Sequence, residues 1–283
     1  MMETTVIIGA GASGLLCGCE LAKQQANVII LEQSNKSGRK ILASGNGRCN
    51  LSNTNLDMYF YNTDDKRIEK IINDFNVKDY FNQIGVLTRQ VLYPRSNQSL
   101  TIKNALINNF DQVALIEECQ ALKIIKRKNG YLVKSTRGDY ECDNVVIATG
   151  SPASLLSGKN NYDLVNDLGL KVTDLFPSLV QIKTKPAYPK LKGVRVKCQV
   201  NLYNDNELVE SQAGEVLFSE QGLSGICIMQ LSRLLSKCHG NLEIGLDLLE
   251  EFNESEVNIL LEERLKKYGN YYLEGIFNDK LAK

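Results

Sequence analysis

The stretch TTVIIGAGASGLLCGCELAKQQANVIILE, residues 4–32, decides the fold. It opens on an unbroken β-branched and apolar row, Thr4–Ile8, the pattern of a central parallel strand covered on both faces. The row runs straight into Gly9, Ala10, Gly11, Ala12, Ser13 and Gly14. Over residues 15–24, Leu15, Leu16, Cys19 and Ala22 recur at helical spacing, and residues 28–31 form a second apolar row that ends at Glu32. A lone G-x-G-x-x-G also occurs in glycine-rich turns of unrelated α/β proteins. Here strand, glycines, helix, strand and acid follow one another in register, as dinucleotide binding requires.

Each part has a physical task. Gly9 permits a tight turn, Gly11 lets the backbone approach a pyrophosphate, and Gly14 lets helix and strand pack closely. The helix N-terminus offers unpaired N–H groups and about half a positive charge. Glu32 lies 18 residues beyond Gly14, where its carboxylate can accept hydrogen bonds from both ribose hydroxyls of an adenosine. It would repel a 2′-phosphate, so the site is expected to take FAD or NAD and not NADP.

Composition excludes other classes. The 283 residues carry 33 Lys plus Arg against 33 Asp plus Glu, so no strong net field favours nucleic acid or an anionic membrane. No run approaches the about 18 apolar residues of a membrane span, and the N-terminus lacks a basic leader. Cys17, Cys19, Cys49, Cys119, Cys142, Cys198, Cys227 and Cys238 are scattered without a C-x-x-C, and His239 is the single histidine. Zinc and other metal sites are therefore not expected, and the thiols read as reduced in a cytoplasmic protein.

The segment after Glu32 separates FAD from NAD. An NAD domain would continue with strand–helix units, but residues 34–55 are polar and punctuated by glycine, with Arg39, Lys40 and Arg48 near the same end of the sheet. The run ILASGNGRCNLSN, residues 41–53, suits neither helix nor strand and reads as a loop. Extended backbone with nearby guanidinium groups suits a diphosphate and its ribityl chain; a solvated surface loop is the plainer alternative. Further on, residues 121–128, 131–136 and 140–142 are short strands separated by Asn129-Gly130 and Arg137-Gly138-Asp139, a β-meander. It leads into NVVIATG, residues 144–150, a buried strand whose small residues Ala148, Thr149 and Gly150 allow close passage of a cofactor.

The motifs GAGASGL, GRKILASGNGRCNLSN, VLYPRSNQS, VVIATG, LGLKVTDLFPSLVQIK and GEVLFSEQGLSGICIMQLSR, in this order, resemble the BaiN-like, aminoacetone-oxidase-like NAD(P)/FAD-dependent oxidoreductases over nearly all of the chain. The resemblance implies a glutathione-reductase-type FAD-binding Rossmann-like domain, α/β with a parallel sheet and meander, carrying an inserted β-barrel and helical domain. It implies that residues 44–50 lie along the diphosphate and ribityl chain and that Arg39 and Lys40 border it. The full set of cofactor contacts expected is Gly9, Gly11, Ala12, Ser13, Gly14, Glu32, Gln33, Arg39, Lys40, Ser44, Gly45, Asn46, Gly47, Arg48, Cys49, Asn50, Ala121, Ala148, Thr149 and Gly150. Two departures stand out. The turn GSPASLLSGKNNYD, residues 150–163, lacks the family's longer glycine-rich form, and family members continue beyond the point matching Lys283, returning to the FAD domain.

The expected FAD domain covers residues 1–177 and the insertion 178–283, with Pro177 and Pro186 bracketing the junction. In the insertion Val194, Val196, Cys198, Val200 and Leu202 alternate with polar residues as a half-buried strand, and Asn204-Asp205-Asn206 turns it toward strands at 207–211 and 215–218. The resulting sheet reads as a small barrel or sandwich. Residues 223–237 read as a helix. Asn253 and Glu256 make a capping box for another, with Val257, Leu260, Leu261 and Leu265 on one face. That stripe is expected to pack into core, with a partner-binding face as the alternative.

No triad or Cys–His pair is assembled from these residues, so the catalytic residues stay unassigned. Cys49 is the notable thiol, because Arg48 and nearby amides can lower its pKa; the competing reading is a small side chain packed beneath the loop. The sequence thus points to an FAD-dependent oxidoreductase acting on a small organic substrate, with NAD(P)H or dioxygen as redox partner. NAD(P)H would visit transiently, since only one fingerprint is present. The alternative is a truncated or split flavoprotein that binds adenine dinucleotide weakly and works through self-association or a complementing chain.

Overall fold

The computed structural model describes residues 2–61, 63–89, 92–153 and 162–282. It divides into two compact units, Met1–Thr173 and Asp174–Lys283. The sequence placed the junction after residue 177.

In the first unit β1 (Thr4–Ile8) leads through the glycine turn into α1 (Ala12–Lys23) and back along β2 (Asn27–Leu31). The helix starts three residues earlier than its apolar spacing indicated. Next come α2 (Arg39–Ala43), α3 (Lys66–Asp74), α4 (Val77–Gln83), α5 (Ser99–Asn108) and β3 (Val113–Ile116). The meander β4 (Ala121–Lys126), β5 (Tyr131–Ser135) and β6 (Gly138–Cys142) precedes β7 (Asn144–Ile147) and the short α6 (Asp163–Asn166). The parallel sheet has the order β3-β2-β1-β7, and the meander is a separate antiparallel sheet. Because the chain steps outward from β1 to β2 and β3, then returns on the other side of β1 as β7, a crevice opens at the C-terminal ends of β1 and β7.

Alternation along β1 fixes both layers. Ile7 enters a core with Val28, Ile30, Leu15 and Cys19 of α1, and Ile102 and Leu106 of α5. Val6 and Ile8 enter a second core with Leu31 and the meander residues Ala121, Ile124 and Val133. Val6 and Ile7 are both fully buried, and each such side chain contributes about 1.5–3 kcal/mol by leaving water.

The second unit contains β8 (Ile182–Lys183), β9 (Arg195–Asn204), β10 (Glu207–Phe218), β11 (Gly222–Ser224), α7 (Ile226–Ser232), β12 (Leu242–Asp247), α8 (Glu254–Tyr268) and α9 (Asp279–Ala282). Its sheet runs β12-β9-β10-β11-β8, an open antiparallel order with two edges among the described residues, where a barrel was expected. Asp205 and Asn206 take positive φ (51° and 69°) in the β9–β10 hairpin, as their turn chemistry demands. The two strands expected after it are one continuous β10, carried past an irregularity between Leu208 and Glu210.

The single helix expected over 223–237 is broken. Leu223 and Ser224 pair with β10 instead, and Gly225, at φ +114°, turns the chain into α7. A Cβ on Gly225 would stand 2.1 Å from the Glu215 carbonyl oxygen, so only glycine fits this switch. The stripe on α8 does not pack into core either: none of its residues is buried, and Leu265 is 52% exposed. The altered turn at 150–163 lies largely outside the described residues. Among the described residues no helix is long and apolar enough to cross a membrane.

Leu202 anchors the second unit's core among Val200, Val216 and Ile228, with no exposure. Leu202→Ala is expected to cost about 2–5 kcal/mol. Urea unfolding followed by far-ultraviolet circular dichroism measures it, and an unmoved midpoint would show that this cluster is not what stabilises the unit.

Candidate functional site

The three glycines of the β1–α1 turn carry different constraints. A Cβ on Gly9, at φ +107°, would come within 2.5 Å of the Ala148 carbonyl oxygen. A Cβ on Gly14 would stand 1.9 Å from the Gly9 carbonyl oxygen, so this residue is forced by the packing of α1 on its own turn. Gly11 is unlike both: its φ is −80° and an added Cβ would meet nothing within 4 Å. It faces a cleft of about 410 Å³ at the C-terminal ends of β1, β2 and β7.

Gly11 is also the N-cap of α1. No side chain caps that helix and no acid lies in its first turn, so its leading N–H groups and dipole are available to an anion in the cleft. Lys36, Arg39 and Lys40 line the same cleft. Arg39 Nη1 donates to Ser34 Oγ at 3.2 Å and Lys40 Nζ to the Ser151 carbonyl oxygen at 2.8 Å. Both partners are neutral. Glu32 is the one acid lining the cleft among the described residues, which leaves a cationic excess at the glycine turn.

Glu32 does more than its position in sequence indicated. Its Oε2 accepts the Ala10 N–H at 2.9 Å and its Oε1 the Ser34 N–H at 2.8 Å, so the carboxylate pins the glycine turn to the end of β2. A carboxylate has about four acceptor sites, so capacity for hydroxyl donors remains. The backbone beyond is stitched down as well. Cys119 N donates to the Glu32 carbonyl at 2.7 Å, Glu118 N to that of Ser34 at 2.9 Å, and Gly38 N to that of Ala10 at 2.7 Å.

Of the residues singled out from sequence, Gly9, Gly11, Ala12, Ser13, Glu32, Gln33, Arg39, Lys40, Ala121, Ala148, Thr149 and Gly150 line the cleft. Gly14 does not, because it is covered by the turn. Ser44, Gly45, Asn46, Gly47, Arg48, Cys49 and Asn50 do not line it either. One reading made for this segment changes. Residues 41–43 belong to the end of α2, not to a loop. Residues 44–50 then curl on themselves: Gly45, Asn46, Gly47 and Cys49 all take positive φ, Cys49 N donates to the Ser44 carbonyl at 3.1 Å, and Arg48 N to that of Gly45 at 3.2 Å. The Arg48 guanidinium lies 5.2 Å from the Tyr93 ring centroid. The glycines here serve the turn itself, since a Cβ on Gly45 would meet Asn50 N at 2.9 Å.

Cys49 is buried, and burial pushes its thiol pKa up despite a hydrogen bond involving Ser44 that lowers it. Of the two readings of Cys49, the structure supports the small packed side chain. Sequence reasoning did not single out Ser34, Lys36, Gly38, Cys119 and Ser151 as cleft residues. Lys36 and Ser34 were legible as polar residues directly after the acid. Cys119 and Ser151 are brought in by backbone pairing that no local pattern announces.

The comparisons with known proteins follow this geometry. Residues 3–240 match the HI0933-like protein Rossmann domain. The chain belongs to that family. Its members are flavoprotein oxidoreductases with a Rossmann nucleotide-binding domain, and membership implies FAD. The chain is 31% identical to the 3-dehydro-bile acid delta(4,6)-reductase of Clostridium scindens, covering 99% of this chain and 74% of that protein. It is 26% identical to the ribosomal RNA dihydrouridine synthase of Escherichia coli over 80% of this chain and 60% of that one. The corresponding Haemophilus influenzae synthase is 25% identical over 89% of this chain and 66% of its own length. The chain thus spans about three fifths to three quarters of these relatives. The solved structure of THI4 from Thermovibrio ammonificans aligns over 60% of this chain and 64% of that one, with 20% identity and a TM-score of 0.39.

The cleft suits the family's cofactor in its chemistry. A helix start free of acids, three cations of which Arg39 and Lys40 bond neutral oxygens, and a glycine whose missing Cβ leaves open space are what a diphosphate needs.

The buried Cys49 thiol gives a direct check. Its raised pKa means the thiolate forms only above the usual thiol range, so alkylation in the native protein should lag that of the unfolded chain at neutral pH and accelerate as pH rises. Mass spectrometry of iodoacetamide-treated protein reads the site. Rapid native modification at pH 7 would restore the activated-thiol reading.

Proposed function

We propose that the chain holds FAD with its pyrophosphate over Gly11 and its adenosine ribose on Glu32, and acts as an FAD-dependent oxidoreductase on a small organic substrate. NAD(P)H or dioxygen is the redox partner. The observation that carries this reading is the Gly11 position: a helix start without a cap, opening on a cleft, at a glycine that the protein's own packing does not require. Gly9 and Gly14 are glycine for reasons internal to the fold. Gly11 is not, and a ligand approaching the backbone explains it.

Bound flavin supplies reversible hydride and electron transfer, chemistry that the side chains here do not provide. The residues of the chain bind and orient. The α1 N-terminus, Arg39 and Lys40 neutralise the diphosphate, and Glu32 grips the ribose while bracing the turn. Ala148, Thr149 and Gly150 keep the passage beyond β7 narrow but free of bulk. Similarity to the Clostridium scindens reductase favours reduction of an unsaturated carbonyl compound as the reaction class. The similarity to the two ribosomal RNA enzymes is weaker and covers less of their length.

Purified protein should be yellow, with flavin bands near one per chain; colourless protein that takes up no added FAD would favour a fragment that works only within a larger assembly. Gly11→Val separates binding from folding. An added Cβ at residue 11 meets no atom within 4 Å, so the variant should keep its circular dichroism and lose flavin. Retention of flavin by that folded variant would remove the pyrophosphate assignment. Glu32→Ala should weaken FAD binding on the order of 2–3 kcal/mol, read by titration of flavin fluorescence. It should also lower stability, because the Ala10 and Ser34 amides lose their acceptor.

A further inference from the structure

Acids are missing from two stretches of the first unit. Residues 33–56 carry Lys36, Arg39, Lys40 and Arg48, and residues 80–110 carry Arg89, Arg95 and Lys103, seven cations without one Asp or Glu. The fold stitches the two stretches together. Ser99 Oγ donates to the Leu42 carbonyl oxygen at 3.1 Å, and Leu51 N donates to that of Leu92 at 3.0 Å. Lys36, Arg39 and Lys40 line the nucleotide cleft, whereas Arg48, Arg89 and Arg95 do not.

Arg89 and Arg95 lie on a short two-stranded ribbon. Arg89 N donates to the Tyr93 carbonyl oxygen at 2.9 Å, Arg95 N to that of Leu87 at 2.8 Å, and Thr88 bridges Pro94 between them. Side chains alternate across such a ribbon, so Leu87, Arg89, Tyr93 and Arg95 share one face and Thr88 and Pro94 the other. Burial agrees: Pro94 is buried, while Leu87, Arg89 and Arg95 are exposed. Directly opposed residues stand about 4.5–5.5 Å apart, which sets Arg89 beside Tyr93. Arg48 arrives from the other stretch, its guanidinium 5.2 Å from the centroid of the Tyr93 ring and its Nε donating to the Gly45 carbonyl oxygen at 3.3 Å. No carboxylate pairs with any of the three arginines among the described residues.

We propose that Arg48, Arg89 and Arg95 form, around Tyr93, a second anion site that takes a carboxylate or phosphate group carried on a flat organic body. Three guanidinium groups gathered about one ring repel one another, and an anion between them turns that cost into attraction. The planar fork of each can bind two oxygens of such a group at once, which a lysine cannot do. Tyr93 and the exposed Leu87 offer apolar surface to the rest of the molecule. In the oxidoreductase reading, on which this role alone rests, the ligand is the substrate and the site holds its acidic end.

Isothermal titration with phenyl phosphate and with benzoate tests the site, in excess ADP so that the glycine turn is already filled. Circular dichroism confirms the fold of each variant. At least one of the two probes should bind saturably, and the tighter one names the acidic group. Phenol, the ring without the charge, should not bind. Arg48→Gln, Arg89→Gln and Arg95→Gln should each weaken the bound probe at least about tenfold. Arg95→Lys, which keeps the charge and loses the fork, should fall between Arg95→Gln and the wild type. Failure of both probes to bind, equal binding of phenol, or an affinity that no arginine substitution lowers overturns the proposal. These outcomes are separate from the nucleotide reading, since a chain that takes up no flavin can still bind the probe.

Discussion

The Glu32 carboxylate, shared between the amides of Ala10 and Ser34, is the contact on which the first unit's architecture turns. Without it the glycine turn and the strand end that follows have no common anchor. Both amides would need another acceptor in a half-buried setting, where an unpaired donor costs about 1–3 kcal/mol. With it, one anionic group lines the cleft together with the helix start and three cations. The polarity of the crevice is thus set by a residue whose first task is structural.

Much of this was legible in the chain. The row Thr4–Ile8 announced a strand covered on two sides, and Val6, Ile7 and Ile8 divide between two cores as that reading requires. The fingerprint announced the turn, and the hairpin residues Asn129-Gly130 and Asp205-Asn206 fell where their backbone preferences put them. These features are local, decided within a few residues by sterics. Non-local features were less legible. The run at 44–50, expected to lie along a ligand, holds itself in a turn by local hydrogen bonds, with the Arg48 guanidinium near the Tyr93 ring, a contact that no local pattern announced. Residues 223–237 read as one helix, and only pairing with β10 makes Gly225 a switch between strand and helix. For Cys49 the sequence offered a packed thiol and, through its neighbour Arg48, an activated one; its neighbours in space remove it from water.

Zero formal net charge proved a poor guide to local fields. Arg39 and Lys40 at the cleft bond neutral oxygens and have no carboxylate partner among the described residues, while surface pairs such as Lys192–Glu220 and Arg195–Glu215 absorb charge elsewhere. Exposed pairs of that kind contribute little to stability. Their placement still matters, because cancelling charge at the surface leaves the crevice as a site where a dianion is favoured.

β1 has a mechanical consequence as well. Since its alternate side chains serve helices on one side and the meander on the other, neither layer can peel away and leave the other with an intact floor. Loosening on one flank is transmitted across a single strand to the opposite flank. The glycine turn at the end of that strand is braced from both layers, and its bonded Gly9 and Ala10 amides should exchange with solvent only when the unit opens, unlike the uncapped amides that begin α1.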